Sequence, residues 1–512
     1  MKICQTLWSN HKNLLEDSFG WLSPQHHLLA WTYSCLKLRE FYSDVQLYTD
    51  SHGAEVLIDI LGLPYSRCHL DYDNLNYNPS LWAFPKIFTY NKQAEPFIHV
   101  DGDVFIFDKF SDELEKAELL AQNLELSTDY YKNLFNPIMK RINYIPDFFK
   151  KNLYSRYPKS YNAGILGGRN IELIQKYTRE AIEFVDKNLT CHSNGNFNMI
   201  FEQLMFYSIS KTHNTEVQCY TDKTYDDNGY DMNAFGDFLS VPCKKYLHLI
   251  GPLKRDEYTI QQLTRRLFND YPEYFERVIS LFKQPVHSYF ISSKEIKGKQ
   301  NKSGSRRKFS FYQSKTLINN LYPGNVIKSN KDLALFVKER NNWILNEVYG
   351  FEKKLHYFLT KKISRVNRDD ILYIERKVAN SNSYLLDIQN NILSCKLYLN
   401  PYIEIIQTSF DVIDFNPYEL LSQEKNQKTI ACLPQLFFEG YTTVSIDPIS
   451  INIISILYEE GIAITFRELE KKMSELFDRV ENDGNAIRSL LIRRLRFLVG
   501  SNLIYLDKDI ES

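Results

Sequence analysis

The chain has 512 residues, 44% of them hydrophobic and 24% charged, with a formal net charge of −1. These values are ordinary for a soluble globular protein of two or three domains, and they exclude a global attraction to nucleic acid or to an anionic membrane. Eight cysteines are scattered with no Cys-x-x-Cys pair, which argues against a zinc cage and for free thiols in a reducing compartment.

The amino terminus runs from Met1 straight into a strand-like stretch and lacks the apolar core of a signal peptide. No apolar run approaches membrane-spanning length, so the expectation is a cytoplasmic protein with no integral membrane association. Across residues 1–110, strand-like runs (Lys2–Leu7, Asp44–Tyr48, Phe97–Val100, Val104–Phe107) alternate with helical stretches near His26–Phe41 and Ser80–Tyr90. Such alternation predicts an α/β fold, a mostly parallel sheet flanked by helices. Ligands of such sheets bind beyond the carboxyl ends of strands. The candidate ends are Thr6–Trp8, Thr49-Asp50 and Asp101–Asp103, and each also suits an ordinary turn between strand and helix.

The most informative stretch is Pro96–Phe107. A buried strand runs into Asp101-Gly102-Asp103 and then resumes. Two acids at the end of an apolar strand are costly to bury without a partner. The glycine between them allows close approach of a ligand. A hard divalent cation shared with a diphosphate would satisfy both acids. Just upstream, Ser80–Tyr90 has helical spacing with Pro85 in a kink or break, and Lys86 is its one cation. Lys86 could contact an anionic leaving group or a sugar. Taken by itself it reads more simply as a lysine reaching solvent.

Residues 111–160 are less regular and rich in Tyr, Phe and Asn. Tyr157–Gly168 then brings Asn162-Ala163-Gly164, a small-residue approach whose amide suits hydroxyl groups, ahead of a helix over Ile171–Val185. Phe201–Phe206 reads as a helix carrying Glu202-Gln203, which either face a reacting sugar or form the polar side of the helix. Cys243–Arg255 ends a short apolar strand in His248, Gly251 and Lys254. Histidine can ligate a metal and lysine can meet a phosphate, although a lone histidine is more often structural.

Residues 286–330 contain a basic, Gly- and Ser-bearing run that reads as a linker or loop. Residues 331–434 read as an accessory region, helical over Lys331–Arg365 and β-rich from Asp370 onward. Residues 435–512 show three helical stretches, a capping box at Thr465–Glu468 and a closing strand at Leu503–Leu506, the pattern of a winged helix. The arginines of its third helix are offset by glutamates, so no nucleic-acid partner is expected.

In this order, Lys86, Asp101-Gly102-Asp103, Asn162-Ala163-Gly164, Glu202-Gln203 and His248–Lys254 resemble the A-type glycosyltransferase fold, and within it the family eight retaining glycosyltransferases, over about residues 1–285. That resemblance implies a hexosyltransferase taking a sugar from a UDP-sugar with Mn2+ or Mg2+. Asp101, Asp103 and His248 would be the metal ligands. Lys254 and Gly251 would meet the diphosphate, and Lys86, Thr6, Trp8, Asp50 and Gly102 would lie against the donor. Asn162, Glu202 and Gln203 would line the reacting sugar. The chain departs from the family in having Glu202-Gln203 for the usual Asp-Gln, Arg255-Asp256 after the late lysine, and Gln5-Thr6-Leu7-Trp8 on the first strand. Tyr441–Pro448, leading into the winged-helix pattern, resembles the leader-peptide clamps of ribosomal peptide maturation, which implies a peptide acceptor captured as an added strand. A glycan- or lipopolysaccharide-directed transferase, and a non-catalytic binding or regulatory protein with a degenerate transferase domain, are the alternatives.

Overall fold

The computed structural model describes residues 1–227, 229–230, 235–282, 309, 311–363, 366, 368–386, 395–409, 427–434, 441–461, 463–477 and 484–508. The chain divides into Met1–Phe282 and Lys283–Ser512. In the first unit the strands in chain order are β1 (Lys2–Leu7), β2 (Val45–Thr49), β3 (Arg67–Leu70), β4 (Phe97–Val100), β5 (Val104–Ile106), β6 (Leu119–Ala121), β7 (Leu124–Leu126), β8 (Lys159–Tyr161), β9 (Ile165–Gly168), β10 (Val217–Cys219), β11 (Tyr225–Asp226) and β12 (Tyr246–His248). Seven of them form one sheet in the order β10-β6-β9-β4-β1-β2-β3. It is parallel except at β9, which runs antiparallel to both β4 and β6.

Strands buried on both faces read as near-continuous apolar runs, and all residues of β2 and β4 are buried. Successive residues divide between two cores, as the pleat requires. Cys4, Phe97 and Leu166 face the core formed with the helices Phe84–Asn91 and Ile171–Asp186, whereas Ile3, Ile98 and Ile165 face the opposite core. The early helix spans Pro24–Phe41, capped by Ser23 with proline in its first turn. Of the kink or break expected at Pro85, the structure has a break just before it. The helix begins at Phe84 with Pro85 in its first turn, so Trp82 belongs to the preceding turn. Residues 111–160 are more regular than expected. They hold β6, β7 and the helices Asp129–Met139 and Asp147–Leu153. Strands of three residues are too short to show a period.

In the second unit, residues 283–308 and 310 of the basic stretch lie outside the described residues, and Tyr312–Leu321, inside the expected linker, is a helix. The expected long helical region is two helices, Asn330–Arg340 and Trp343–Tyr357, broken at Asn341 with φ 45°. Where β structure was expected from Asp370, the chain first forms the helix Arg368–Leu386. Two three-stranded sheets come next. One is β14 (Glu404–Thr408), β15 (Lys428–Pro434) and β16 (Tyr441–Ile446); in the other, β13 (Cys395–Leu399) lies between β17 (Ile464–Thr465) and β18 (Ile504–Lys508). The helices Pro448–Glu460, Phe466–Phe477 and Gly484–Gly500 pack with β13 and the helix Arg368–Leu386 in one core. That core therefore draws on chain before residue 435. The capping box is formed: Thr465 N donates to the Glu468 carboxylate at 2.7 Å, and Glu468 N donates to Thr465 Oγ1 at 3.2 Å. Among the described residues no helix is long and apolar enough to cross a membrane.

Candidate active site

Two antiparallel pairings gather the acids, the histidine and the Asn-Ala-Gly loop. β5 leaves the acid pair and is matched by β12, with His248 opposite Val104. Leu249 N donates to Asp103 O at 3.0 Å, which seals that register. On the other side β4 pairs with β9, Val100 opposite Ile165, and Asp101 N donates to Gly164 O at 2.9 Å. Ligand-capable atoms of Asp101, Asp103 and His248 consequently lie within 4.8 Å of one another.

Each acid also has a lysine. Lys254 Nζ lies 2.5 Å from Asp103, and His248 Nε2 lies 3.5 Å from the same carboxylate. Burial alone would raise the Asp103 pKa, but the Lys254 ammonium and then His248 outweigh it and hold the carboxyl well below the usual range. Lys86 does not reach solvent. It is buried, donating to both oxygens of Asp101 at 3.0 and 3.1 Å and pairing with Glu202 at 2.6 Å. One ammonium cannot neutralise two carboxylates. Burial, opposed in part by Lys86, lifts Glu202 from its usual 4.5 to about 7, and burial likewise raises Asp101. Glu202 sits on the π-helical turn Ile200–Leu204, a form of local backbone that concentrates at functional sites. Its Oε2, and Oε1 of neighbouring Gln203, are buried without a hydrogen-bond partner.

Sequence reasoning missed two residues behind these groups. Gln122, buried at the end of β6, lies 2.6 Å from His248 Nδ1 through Oε1 and accepts from the Tyr246 hydroxyl at 2.6 Å, while its amide donates to Asn123 Oδ1 at 3.0 Å. With Oε1 accepting from Nδ1, the His248 ring is held with Nε2 turned toward the acids. Glu125, on β7, accepts from Asn162 Nδ2 at 3.1 Å and from the Tyr230 hydroxyl. Asn162 Oδ1 accepts from Gly164 N at 3.0 Å, so one amide hydrogen and one lone pair of Asn162 are left for a ligand. Neither Gln122 nor Glu125 belongs to a recognisable spacing; each is one polar residue beside a short apolar strand.

Burial raises Glu125 from its usual 4.5 to about 7. The folded state then holds a proton that the unfolded chain gives up. The stability this contributes is complete below about pH 4.5 and is lost as pH rises to about 7, at about 1.4 kcal/mol per unit. Glu125→Gln, a copy of the protonated form, is expected to remove that increment from the slope of urea-unfolding free energy against pH. An unchanged slope would contradict it.

Lys86, Asp101, Asp103, Asn162, Glu202, Gln203, His248, Gly251 and Lys254 all line one cavity of about 290 Å³. Thr6, Trp8, Asp50 and Gly102 do not line it. Thr6 Oγ1 is engaged by Thr89 and His99, and Trp8 packs against the hydrophobic core. Asp50 lines a second cavity of about 400 Å³, but its oxygens already accept from Ser9 N, Ser9 Oγ and Gly53 N at 2.7–2.8 Å. Gly102 makes room for a side chain: a Cβ there would lie 2.4 Å from the Trp31 ring. Gly164 does the same for His248 and Gln122, both 2.5 Å from a Cβ. Gly102→Ala is therefore expected to cost about 1–3 kcal/mol by overpacking, read as a lowered Tm. An unchanged Tm would show that Trp31 can yield.

Two carboxylates and an imidazole nitrogen, with the other imidazole nitrogen fixed, form a donor set suited to a divalent cation such as manganese or magnesium. Lys254, partly exposed beside Asp103, adds a charge suited to a polyanion.

Residues 1–281 match the model of a family of unknown function (DUF6734), and the chain belongs to that family. No curated protein matches the chain. Among solved structures, it is similar to a galactosyltransferase, LgtC, in complex with donor and acceptor sugar analogues, at 14% identity over 39% of this chain and 70% of that one, with a TM-score of 0.23. The glycosyltransferase GlyE of Streptococcus pneumoniae TIGR4 is matched at 10% identity over 49% of this chain and 55% of that one, with a TM-score of 0.23. Mouse xyloside xylosyltransferase 1 is matched at 11% identity over 43% and 84%, again with a TM-score of 0.23.

Proposed function

We propose that this member of the family is a metal-dependent glycosyltransferase that moves a sugar from a nucleoside diphosphate donor, a UDP-sugar, to an acceptor hydroxyl. The observation that carries the reading is the convergence of Asp101, Asp103 and His248 within 4.8 Å, between Lys86 and Lys254, in one cavity. Glycosyl transfer makes a bond from the acceptor oxygen to the anomeric carbon. The carbon–oxygen bond to the diphosphate breaks with its electron pair, and the acceptor proton ends on the diphosphate. Asp101, Asp103 and His248 Nε2 would hold a divalent cation, which supplies Lewis-acid stabilisation of the leaving diphosphate. Lys254 adds a compact positive charge at that end. Lys86, fixed by two carboxylates, positions Glu202, whose free Oε2 carries a proton up to about neutral pH and can donate to a sugar hydroxyl. Gln203 and Asn162 offer amides to the same sugar.

Paired acids one residue apart disfavour a hydrolase acid/base pair, which spans about 5 Å or more across a sugar. Of the acceptor classes expected from the sequence, a peptide held by the second unit would add to a sheet edge, and β16 is paired only with β15 among the described residues. Deleting residues 435–512 tests that reading, since unchanged transfer to a peptide acceptor would end it.

A panel of nucleotide sugars incubated with Mn2+ and assayed for hydrolysis tests the central reading without an acceptor. Cleavage of one donor, lost in chelator, is expected. No cleavage of any donor, or full cleavage in chelator, would overturn it. Gln122→Ala, which frees the His248 ring, is expected to weaken Mn2+ binding about 10–100-fold in an electron paramagnetic resonance titration. Unchanged affinity would remove Gln122 from this role.

A further inference from the structure

We propose that the mouth of this cavity is an acceptor subsite for a pyranose, with Trp82, at the Lys86–Glu202 end, and Tyr130 as its stacking surfaces; the proposal rests on the transferase reading. Both rings line the cavity, and yet Trp82 is 52% and Tyr130 57% exposed. Large aromatic rings left in water beside a polar cavity supply apolar surface for an incoming molecule.

The two rings are held on braced backbone. Trp82 lies in the turn before the helix Phe84–Asn91. Fully buried Asn198 braces that turn from two sides: its Oδ1 accepts from Ala83 N at 2.9 Å, and its Nδ2 donates to Ser80 O at 2.7 Å. Lys86 Nζ lies 5.5 Å from the Trp82 ring centroid, which ties the indole to the Glu202 end. Tyr130 is in the first turn of Asp129–Met139. There the buried Asp227 carboxylate accepts from Thr128 N at 2.7 Å and from Tyr131 N at 3.2 Å. Rings carried on fixed backbone lose little entropy on binding.

The polar groups beside the rings select the occupant. Asn162, Asn196 and Gln203 line the cavity with them, and Gln203 Oε1 is buried without a partner. A pyranose has an apolar C–H face to lay on a ring and a rim of hydroxyls to meet amides. A serine or threonine side chain, with one hydroxyl on one or two carbons, has no such face and no such rim. A nucleobase could stack, but its diphosphate belongs with Lys254, which lies 5.7 Å from a different indole, Trp21.

The test uses the full chain with Mn2+ and the donor found by the hydrolysis panel, offering p-nitrophenyl pyranosides and a serine-containing peptide as acceptors. Transfer to a pyranoside is expected. Trp82→Ala and Tyr130→Ala should each raise the pyranoside KM about 10-fold with the donor KM within about twofold, and Trp82→Phe should recover most of the loss. Three results would overturn the proposal: an unchanged pyranoside KM, a donor KM that rises in step, or transfer to the peptide alone. Absence of donor cleavage by the unaltered chain would instead sink the transferase reading, and the subsite with it.

Discussion

Asp103→Asn is expected to lower manganese-supported donor cleavage by about 10³-fold while leaving the fold intact. The amide keeps the shape of the side chain but loses the charge that Lys254 and a cation both require. Folding survives because Lys254 is partly exposed and can turn to solvent. The measurement is the rate of nucleotide release at saturating Mn2+, with circular dichroism as the control for folding. Release at the unaltered rate would remove Asp103 from the site. A lost fold would show the pair to be structural, and Asp101→Asn, whose partner Lys86 keeps Glu202, would then decide between the two.

Lys86→Met is expected to have the largest effect on stability. It strands Asp101 and the fully buried Glu202 without a counter-charge, and breaking a buried pair in this way costs about 3–5 kcal/mol. The deficit has a predictable pH dependence. Without the ammonium both acids favour their protonated forms still more, so the folded state takes up protons and the deficit shrinks as pH falls. Glu202→Gln in the same chain should recover part of the loss by removing one stranded charge. Urea unfolding at pH 5 and pH 8 checks both points. A deficit below about 1 kcal/mol, or one larger at pH 5, would mean that Lys86 is not the partner of these acids.

Part of the sheet was legible because its central strands are largely buried on both faces: β1 and β4 begin and end where the residues alone place them. Lys86 was not legible by chemistry alone. Most lysines lie at the surface, and nothing in Phe84–Asn91 says that Asp101 and Glu202 will close around this one. His248 stood out as a possible ligand, but only resemblance joined it to the acids, because its approach to Asp103 depends on β12 pairing with β5 across more than a hundred residues. Gly102 was read as space for a ligand, and the residues alone gave no sign that it also clears Trp31, which lies on a helix far upstream. Gln122 and Glu125 left no trace at all, since a buried polar network has no period. Trp82 was taken as part of a helix packed on the sheet; with Pro85 starting that helix, the indole falls outside it and faces water.

The most direct test of the metal site is anomalous X-ray scattering from crystals of the full chain grown with manganese and UDP. A manganese peak bounded by the carboxylates of Asp101 and Asp103 and by His248 Nε2, with the diphosphate between it and Lys254, is the predicted result. Bound UDP with no manganese among those three side chains would contradict it.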